Sequence, residues 1–220
     1  MKVGILGSGD VGRVLATAFL KEGHEVMIGS RDTGKEKLVQ WKTDHEGGQT
    51  GSFEDAAQFG EILVLATLGS GAISALELAG KTNLTGKVII DATNPIVHAD
   101  NGYPQADHGV LRYFTKANES LMETLQQAFP DARFVKSFNS VGNAFMYKPA
   151  FPGGRPTMFI CGNDAAAKER VAGILETFGW EAEDMGMAES ARPIEALCQL
   201  WCAPGFLKNQ WTHAFKLYKM

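Results

Sequence analysis

The sequence predicts an α/β fold in which helices cover both faces of a doubly wound, mostly parallel sheet. Apolar runs of strand length alternate with helix-like segments along most of the 220 residues, the pattern of a parallel sheet with crossover helices. The apolar fraction of 45% and the charged fraction of 21% are ordinary for a chain that buries a core. At residue 2 a buried-strand pattern runs through a glycine-rich turn into a helix-forming stretch, the order expected at the start of such a fold.

Eight short segments are the predicted strands, and seven helical segments separate them. The strands are expected over residues 2–6, 25–28, 49–50, 62–66, 88–91, 134–137, 157–161 and 181–184. The helices are expected over residues 11–22, 35–41, 53–58, 72–78, 120–129, 144–147 and 164–178. Ser52 and Asp55 form a capping-box pattern before the third helix, and Asn163-Asp164 is an N-cap pair before the seventh.

The C-terminal segment has a different pattern. From residue 189 to residue 220 it is predicted to be helical, with an interruption at Ala203-Pro204-Gly205. We expect this segment to pack against the sheet or against a partner subunit, where its aromatic side chains would suit a homodimer contact.

The first strand leads into a glycine motif with the spacing of a phosphate-binding turn. The motif is Gly7-Ser8-Gly9-Asp10-Val11-Gly12. Gly7 would permit the tight turn, Gly9 would let a pyrophosphate approach the backbone, and Gly12 would let the following helix pack closely on the strand. The free N–H groups at the start of that helix would face the phosphates. Residues 1–186 are therefore expected to form a Rossmann-type NAD(P)-binding domain, followed by a helical part over 187–220.

The end of the second strand indicates which dinucleotide binds. An NAD-binding unit usually places an acidic residue there to hydrogen-bond the ribose 2′-hydroxyl. Here Ser30 and Arg31 occupy this position, with Lys35 close behind. An arginine fork beside a hydroxyl matches the geometry of a 2′-phosphate. If the strand ended one residue later, Asp32 would lie near the 2′-oxygen instead. The pattern favours NADP(H) over NAD(H).

A long polar connection follows the fifth strand. It extends over residues 95–118 at the edge of the sheet where ligands bind, and it is expected to be irregular. If the second substrate were a carbonyl compound, a proton donor would be required, and His98, Tyr103 and His108 in this loop are the candidates. A histidine in such a loop is more often a solvated surface residue.

Four blocks of the sequence, followed by a fifth near its end, match a known family in order. They are Gly7 to Gly12, Gly29-Ser30-Arg31, Asp91-Ala92-Thr93-Asn94-Pro95, Val135-Lys136-Ser137-Phe138-Asn139-Ser140 and the run from Ala191 to Leu197. Through these blocks the chain resembles the deazaflavin-dependent NADP oxidoreductases, the reductases of coenzyme F420, and their uncharacterised dinucleotide-binding relatives. One departure is the loop over 95–118, where the deazaflavin enzymes are expected to have a short connection.

The resemblance implies a Rossmann domain, a small C-terminal helical part, NADP binding and hydride transfer to a second ring. It implies that Ser30 and Arg31 hold the 2′-phosphate, and that Thr67 and Leu68 border the pyrophosphate and ribose. It further implies that Asn94 and Pro95 flank the nicotinamide. The wall toward the electron acceptor would be formed by Phe138, Asn139, Ser140 and Val141.

Composition argues against other classes of function. The net charge is −4 and no block of lysine or arginine occurs, so neither nucleic acid nor a membrane surface is an expected partner. The three cysteines are sparse and odd in number, which suits a reducing cytoplasm. The first strand leaves no room for a signal peptide, and no apolar run reaches transmembrane length. We therefore expect a cytoplasmic protein.

Two further features have ordinary explanations beside functional ones. Cys198 and Cys202 are spaced as on one helix face, but no second pair accompanies them, so no metal site is expected. Lys136 falls within a strand pattern, where it would pair with a structural carboxylate or contact an anionic ligand.

The leading hypothesis is an NADP(H)-dependent oxidoreductase that exchanges hydride with a ring-type carrier, a deazaflavin or a flavin. One alternative is an NADPH-dependent reductase of a small carbonyl or imine, with residues 95–118 as a lid. Another is a sensor that binds NADP(H) without turnover. Hydride transfer between two rings needs little side-chain chemistry once the rings are held face to face, so no catalytic acid is assigned.

Overall fold

The computed structural model describes all 220 residues and contains a six-stranded parallel sheet. The ten strands of the chain are β1 Lys2–Leu6, β2 Glu25–Gly29, β3 Gly48–Gly51, β4 Ile62–Leu65, β5 Val88–Asp91, β6 Ala106–Asp107, β7 Val110–Leu111, β8 Arg133–Lys136, β9 Thr157–Ile160 and β10 Glu181–Asp184. The main sheet has the order β3-β2-β1-β4-β5-β8, and its pairs are parallel. The order reverses direction between β1 and β4, which opens a crevice at the carboxyl ends of these strands.

Helices pack on both faces of this sheet, as the sequence predicts. They are α1 Asp10–Lys21, α2 Glu36–Asp44, α3 Phe53–Phe59, α4 Ala72–Ala79, α5 Lys81–Leu84, α6 Leu121–Ala128, α7 Ala165–Thr177 and α8 Ala191–Lys208. Alternate residues of β1 point to opposite faces of the sheet. Val3 and Ile5 pack in the core that includes α1 and α7, whereas Leu6 packs in the core under α3, α4 and α6. None of the helices combines the length and apolar character that crossing a membrane requires.

The predicted caps largely form. Ser52 accepts from Asp55 N while the Asp55 carboxylate accepts from Ser52 N, which completes the capping box of α3. Asp164 caps α7 by accepting from Ala167 N at 2.8 Å. Asn163 does not cap this helix, because its side-chain oxygen accepts from Ala188 N.

The last two strands do not extend the main sheet. β9 and β10 form a separate parallel pair, and one antiparallel bridge between Lys136 and Cys161 links this pair to β8. The segment predicted as a helix over 144–147 is a single 3-10 turn at Asn143–Phe145.

The C-terminal segment differs from its prediction. α8 runs through Pro204 without interruption. Proline removes one backbone hydrogen bond, the one to the carbonyl of Leu200, a residue on the exposed side of the helix. The helix ends at Asn209 in the left-handed conformation, and residues 210–220 form a tail without helix or strand, contrary to the helical prediction. Leu217 N in this tail donates to Thr157 Oγ1 of β9 at 3.0 Å.

The connection over 95–118 is not irregular, contrary to expectation. It contains the antiparallel hairpin β6–β7, whose two-residue turn has positive φ at both His108 and Gly109, the geometry that matches strand twist. The hairpin is tied to α8, since Gln199 Nε2 donates to the carbonyl of Leu111 at 2.7 Å. The sequence analysis did not predict this turn, because His108 stands at a position where glycine or asparagine is usual.

Candidate cofactor-binding site

A cavity of about 720 Å³ lies at the carboxyl ends of the strands, where the strand order reverses. Ten of the thirteen predicted cofactor residues line it: Gly7, Ser8, Gly9, Asp10, Val11, Ser30, Arg31, Lys35, Thr67 and Leu68. The structure adds seven residues that sequence reasoning missed: Phe53, Ala66, Ser70, Gly71, Ser74, Ala75 and Ala92. Most of these follow strand ends or begin helices, and small side chains give no local signal of a binding role.

The three motif glycines meet different surroundings. Gly7 has φ of +133°, and a Cβ there would lie 2.4 Å from the Ala66 carbonyl oxygen. A Cβ at Gly12 would lie 2.0 Å from the Gly7 oxygen, whereas one at Gly9 would meet no heavy atom within 4 Å. Gly7 and Gly12 are therefore required by the protein's own packing, and Gly9 leaves open space at the start of α1. This open cradle at a helix N-terminus without a side-chain cap fits a pyrophosphate.

The loop after β2 presents a hydroxyl and two cations to the cavity. Ser30 Oγ lies 3.0 Å from Ser8 Oγ and donates to the Asp32 carbonyl at 2.8 Å. The exposed side chains of Arg31 and Lys35 have no carboxylate partner among the ion pairs of the chain. The Asp32 carboxylate accepts from Gly34 N at 2.9 Å and does not line the cavity. Asp32, the residue whose carboxylate would have favoured NAD(H), is therefore held within its own turn.

Asn94 and Pro95 lie beside the cavity and do not line it. A Cβ on Gly69 would come within 2.0 Å of the Asn94 carbonyl oxygen, so Asn94 packs directly against the 3-10 turn whose Gly71 lines the cavity. Asn94 Nδ2 donates to the carbonyl of Asn139 at 2.8 Å, and Asn139 Nδ2 donates to Asn94 Oδ1 at 3.2 Å. The ends of β5 and β8 are joined here by a pair of amides.

The other residues predicted to face the acceptor are almost entirely buried. The side chains of Phe138 and Val141 belong to the hydrophobic core on the α1 side of the sheet. Phe138 has φ of +62°, which turns the chain at the end of β8 and directs its ring toward Phe178, 6.1 Å away between centroids. Ser140 is also buried. Of this group, Asn139 is the residue whose side chain contacts Asn94.

The candidate proton donors are not brought to the cavity. His98 Nδ1 bonds to the carbonyl of Ile96 at 3.1 Å, Tyr103 is 72% exposed, and His108 occupies the tip of the hairpin turn. None of the three lines the cavity.

Lys136 is paired with two structural carboxylates. Its Nζ lies 2.7 Å from Asp91 Oδ2 and 2.8 Å from Glu195 Oε1, with all three side chains buried. Burial disfavours the charged ammonium, but the attraction of Asp91 and Glu195 outweighs it and raises the pKa of Lys136. The carboxylate explanation therefore applies, and Glu195 is a member of this network that the sequence did not indicate.

The cysteines form no cluster with other ligands. Cys198 Sγ and Cys202 Sγ lie 4.0 Å apart on α8, and no group of three or more histidine, cysteine or acidic residues is placed to hold a metal ion. Burial raises the pKa of the Cys161 thiol to about 12. The hydrogen bond with Cys198 lowers the pKa of Cys202.

Comparison with known proteins gives three informative similarities. The family described as NADP oxidoreductase, coenzyme F420-dependent, matches residues 2–95. A crystal structure from Arthrobacter sp. FB24, proposed to be an F420-dependent NADP reductase, is 34% identical, with 100% of both chains covered and a TM-score of 0.90. The F420-dependent NADP reductase of Methanothermobacter marburgensis is 28% identical over 218 residues, covering 91% of this chain and 90% of that protein.

A second kind of relative is much longer. The metalloreductase STEAP3 of Rattus norvegicus is 30% identical over 196 residues, which are 89% of this chain and 36% of the relative. The chain therefore spans little more than a third of that protein.

Proposed function

Since the chain belongs to the coenzyme F420-dependent NADP oxidoreductase family, we propose that it binds NADP(H) in the cavity and transfers hydride between the nicotinamide and a ring-type carrier. The carrier would be a deazaflavin or a flavin-like molecule. The observation that carries the proposal is the pair of cations, Arg31 and Lys35, that line the cavity beside an open glycine cradle, without the Asp32 carboxylate.

The residues present fit this cofactor. Gly9 leaves room for the pyrophosphate at the start of α1, and the volume of about 720 Å³ is in the range of small-molecule sites. Thr67 Oγ1 is buried without a hydrogen-bond partner, which an additional polar ligand would satisfy. Ser30, Arg31 and Lys35 would hold the 2′-phosphate through charge-assisted hydrogen bonds.

Hydride transfer between ring carbons suits the few titratable side chains that line the cavity. When bound, the nicotinamide supplies or accepts the hydride, and a proton exchanged with water completes reduction of the carrier ring. The titratable residues that line the cavity are Asp10, Arg31 and Lys35, and Asp10 is paired with Arg13. The candidate proton donors His98, Tyr103 and His108 do not line the cavity. The chain would bind and orient two rings and exclude water from between them.

The hairpin β6–β7 supports hydride transfer to a ring-type carrier over reduction of a small carbonyl or imine. As a lid, residues 95–118 would need to move, but Tyr113 donates to the carbonyl of Glu195 at 2.6 Å and Gln199 binds Leu111. Both contacts hold the segment on α8.

The homodimer expected through the C-terminal segment is also a proposal. It is supported by the exposed apolar side chains of Leu200 and Leu207 on α8 and of Val110 on the neighbouring hairpin.

Replacement of Arg31 by alanine tests the cofactor assignment. Loss of charge-assisted bonds to a phosphate is worth about 1.5–3 kcal/mol, so the Kd for NADPH should rise about 10- to 150-fold. The Kd for NADH should change less than about twofold, because NADH has no 2′-phosphate. Arg155→Ala, at an exposed position with a loose 3.9 Å ion pair, is the matched control. Equal losses for both cofactors would refute the assignment, and turnover with a deazaflavin, flavins and small carbonyls would identify the acceptor class.

A further inference from the structure

Two of the three cysteines lie side by side on α8. Cys198 and Cys202 are about one helical turn apart, and their Sγ atoms are separated by 4.0 Å. Cys198 is buried and Cys202 is partly exposed, so the pair is reached from the surface at Cys202. Cys161 is not part of this pair, because it is buried and its thiol donates to Met122 Sδ at 3.7 Å. Neither Cys198 nor Cys202 lines the cofactor cavity.

The geometry of α8 opposes a disulfide between the two thiols. Side chains at positions i and i+4 of a helix have Cβ atoms about 5–6 Å apart, whereas a disulfide needs about 3.5–4.5 Å. The sulfur atoms, now 4.0 Å apart, would also have to approach to about 2 Å. Both sulfurs therefore stay available as ligands while the helix is intact.

The separation of the sulfurs suits a metal ion bound between them. With metal–sulfur bonds of about 2.3 Å, the length of thiolate bonds to zinc, a separation of 4.0 Å gives an S–metal–S angle of about 120°. Such an angle is that of a three-coordinate ion whose third position takes a small ligand from solvent. Zinc would require four ligands, and no third histidine, cysteine or acidic side chain is placed to join the pair. Thiolates select soft ions such as Cu(I), which accepts a low coordination number.

The turn that carries this pair lacks one backbone hydrogen bond. Pro204 has no N–H to donate to the carbonyl of Leu200, a residue that lies between Cys198 and Cys202 in the chain. A bridge between the two sulfurs would overlap the turn that has lost this bond. A bound ion would therefore hold α8 together where its own backbone holds it least.

We propose that Cys198 and Cys202 form a bidentate site for a soft metal ion of low coordination number, Cu(I). Both sulfurs bind as thiolates, so the binding of Cu(I) releases their two thiol protons to solvent. No electron is transferred, and no oxidant is required. The site lies outside the cofactor cavity, so it does not depend on the binding of NADP(H).

Anaerobic competition for Cu(I) between the protein and the coloured chelator bathocuproine disulfonate tests the proposal. The wild type should withhold about one equivalent of Cu(I). Cys202→Ser should weaken binding about 100-fold or more, because the second thiolate no longer adds an intramolecular contact. Cys161→Ala should stay within about twofold of the wild type. When free Cu(I) is about 100 times the Kd, amide hydrogen exchange over residues 200–208 of the wild type should slow about tenfold or more.

A double variant supplies the matched control. Cys202→Ser combined with Ala203→Cys keeps three thiols but moves one of them about 100° around the helix, away from Cys198. This variant should bind Cu(I) as weakly as Cys202→Ser does, and far-UV circular dichroism checks that both are folded. Wild-type affinity in the double variant, a loss of binding in Cys161→Ala equal to that in Cys202→Ser, or no binding by the wild type would each overturn the proposal.

Discussion

Separate replacement of Gly9 and Gly12 by alanine should divide cofactor binding from stability. Both glycines belong to one motif, but the structure gives them different neighbours. A Cβ at Gly9 has no heavy atom within 4 Å, and the residue has φ of −71°, which alanine adopts freely. A Cβ at Gly12 would lie 2.0 Å from the backbone oxygen of Gly7.

The expected magnitudes follow from these surroundings. Gly9→Ala should lower the free energy of unfolding by no more than about 1 kcal/mol, the cost of a poorer N-cap. Its methyl group would displace a pyrophosphate from the N–H groups of α1, a loss of about 1.5–3 kcal/mol per charge-assisted bond, so NADPH affinity should fall about 100-fold. Gly12→Ala gains about 1 kcal/mol of helix propensity. Overpacking ordinarily costs about 1–3 kcal/mol, and an overlap with a backbone oxygen costs more than that. The free energy of unfolding should therefore fall by about 2 kcal/mol or more.

Urea unfolding followed by tryptophan fluorescence measures the stabilities, and NADPH titration measures the affinities. The reasoning would be refuted if Gly9→Ala bound NADPH as tightly as the wild type. It would also be refuted if Gly12→Ala were as stable as Gly9→Ala.

Two further predictions concern buried groups. Lys136→Met should lower the free energy of unfolding by about 3–5 kcal/mol, because two buried carboxylates lose their cation. Lys116→Met, whose ion pair with Glu119 is exposed on both sides, should cost about 0–1 kcal/mol. Equal costs in urea unfolding would contradict this. In the native protein iodoacetamide should label Cys202 first, because its pKa is lowered and its side chain is partly accessible. Cys161 and Cys198 are buried with raised pKa values and should react only on unfolding, and peptide mapping that finds Cys161 labelled first would oppose the assignment.

Local signals in the sequence were sufficient for the parallel sheet and the glycine turn. The predicted strands over 2–6 and 88–91 have the bounds that the structure shows, because short apolar runs between turn residues determine a buried strand locally. The strand predicted over 181–184 also has the observed bounds, although its sequence is polar and it is only partly buried. The glycine spacing and the Ser30-Arg31 pair likewise depend only on residues adjacent in the chain. The cavity accordingly contains ten of the predicted cofactor residues.

Long-range contacts decided the remainder. α8 continues through Pro204 because tertiary packing of Cys198 and Trp201 outweighs one lost hydrogen bond, a balance that local propensity cannot express. The hairpin in 95–118 acquired its place from Gln199 and Tyr113.

The sequence by itself determined the strands of the parallel sheet and the glycine turn after β1, since each arises from neighbouring residues. It also placed Ser30 and Arg31 together after β2, on which the proposed preference for a 2′-phosphate rests. Only the tertiary structure decided that Lys136 meets Asp91 and Glu195 and that Asn94 meets Asn139. These partners are far apart in the chain, and a buried charge or amide accepts whichever partner the packing of strands and helices brings within hydrogen-bond distance.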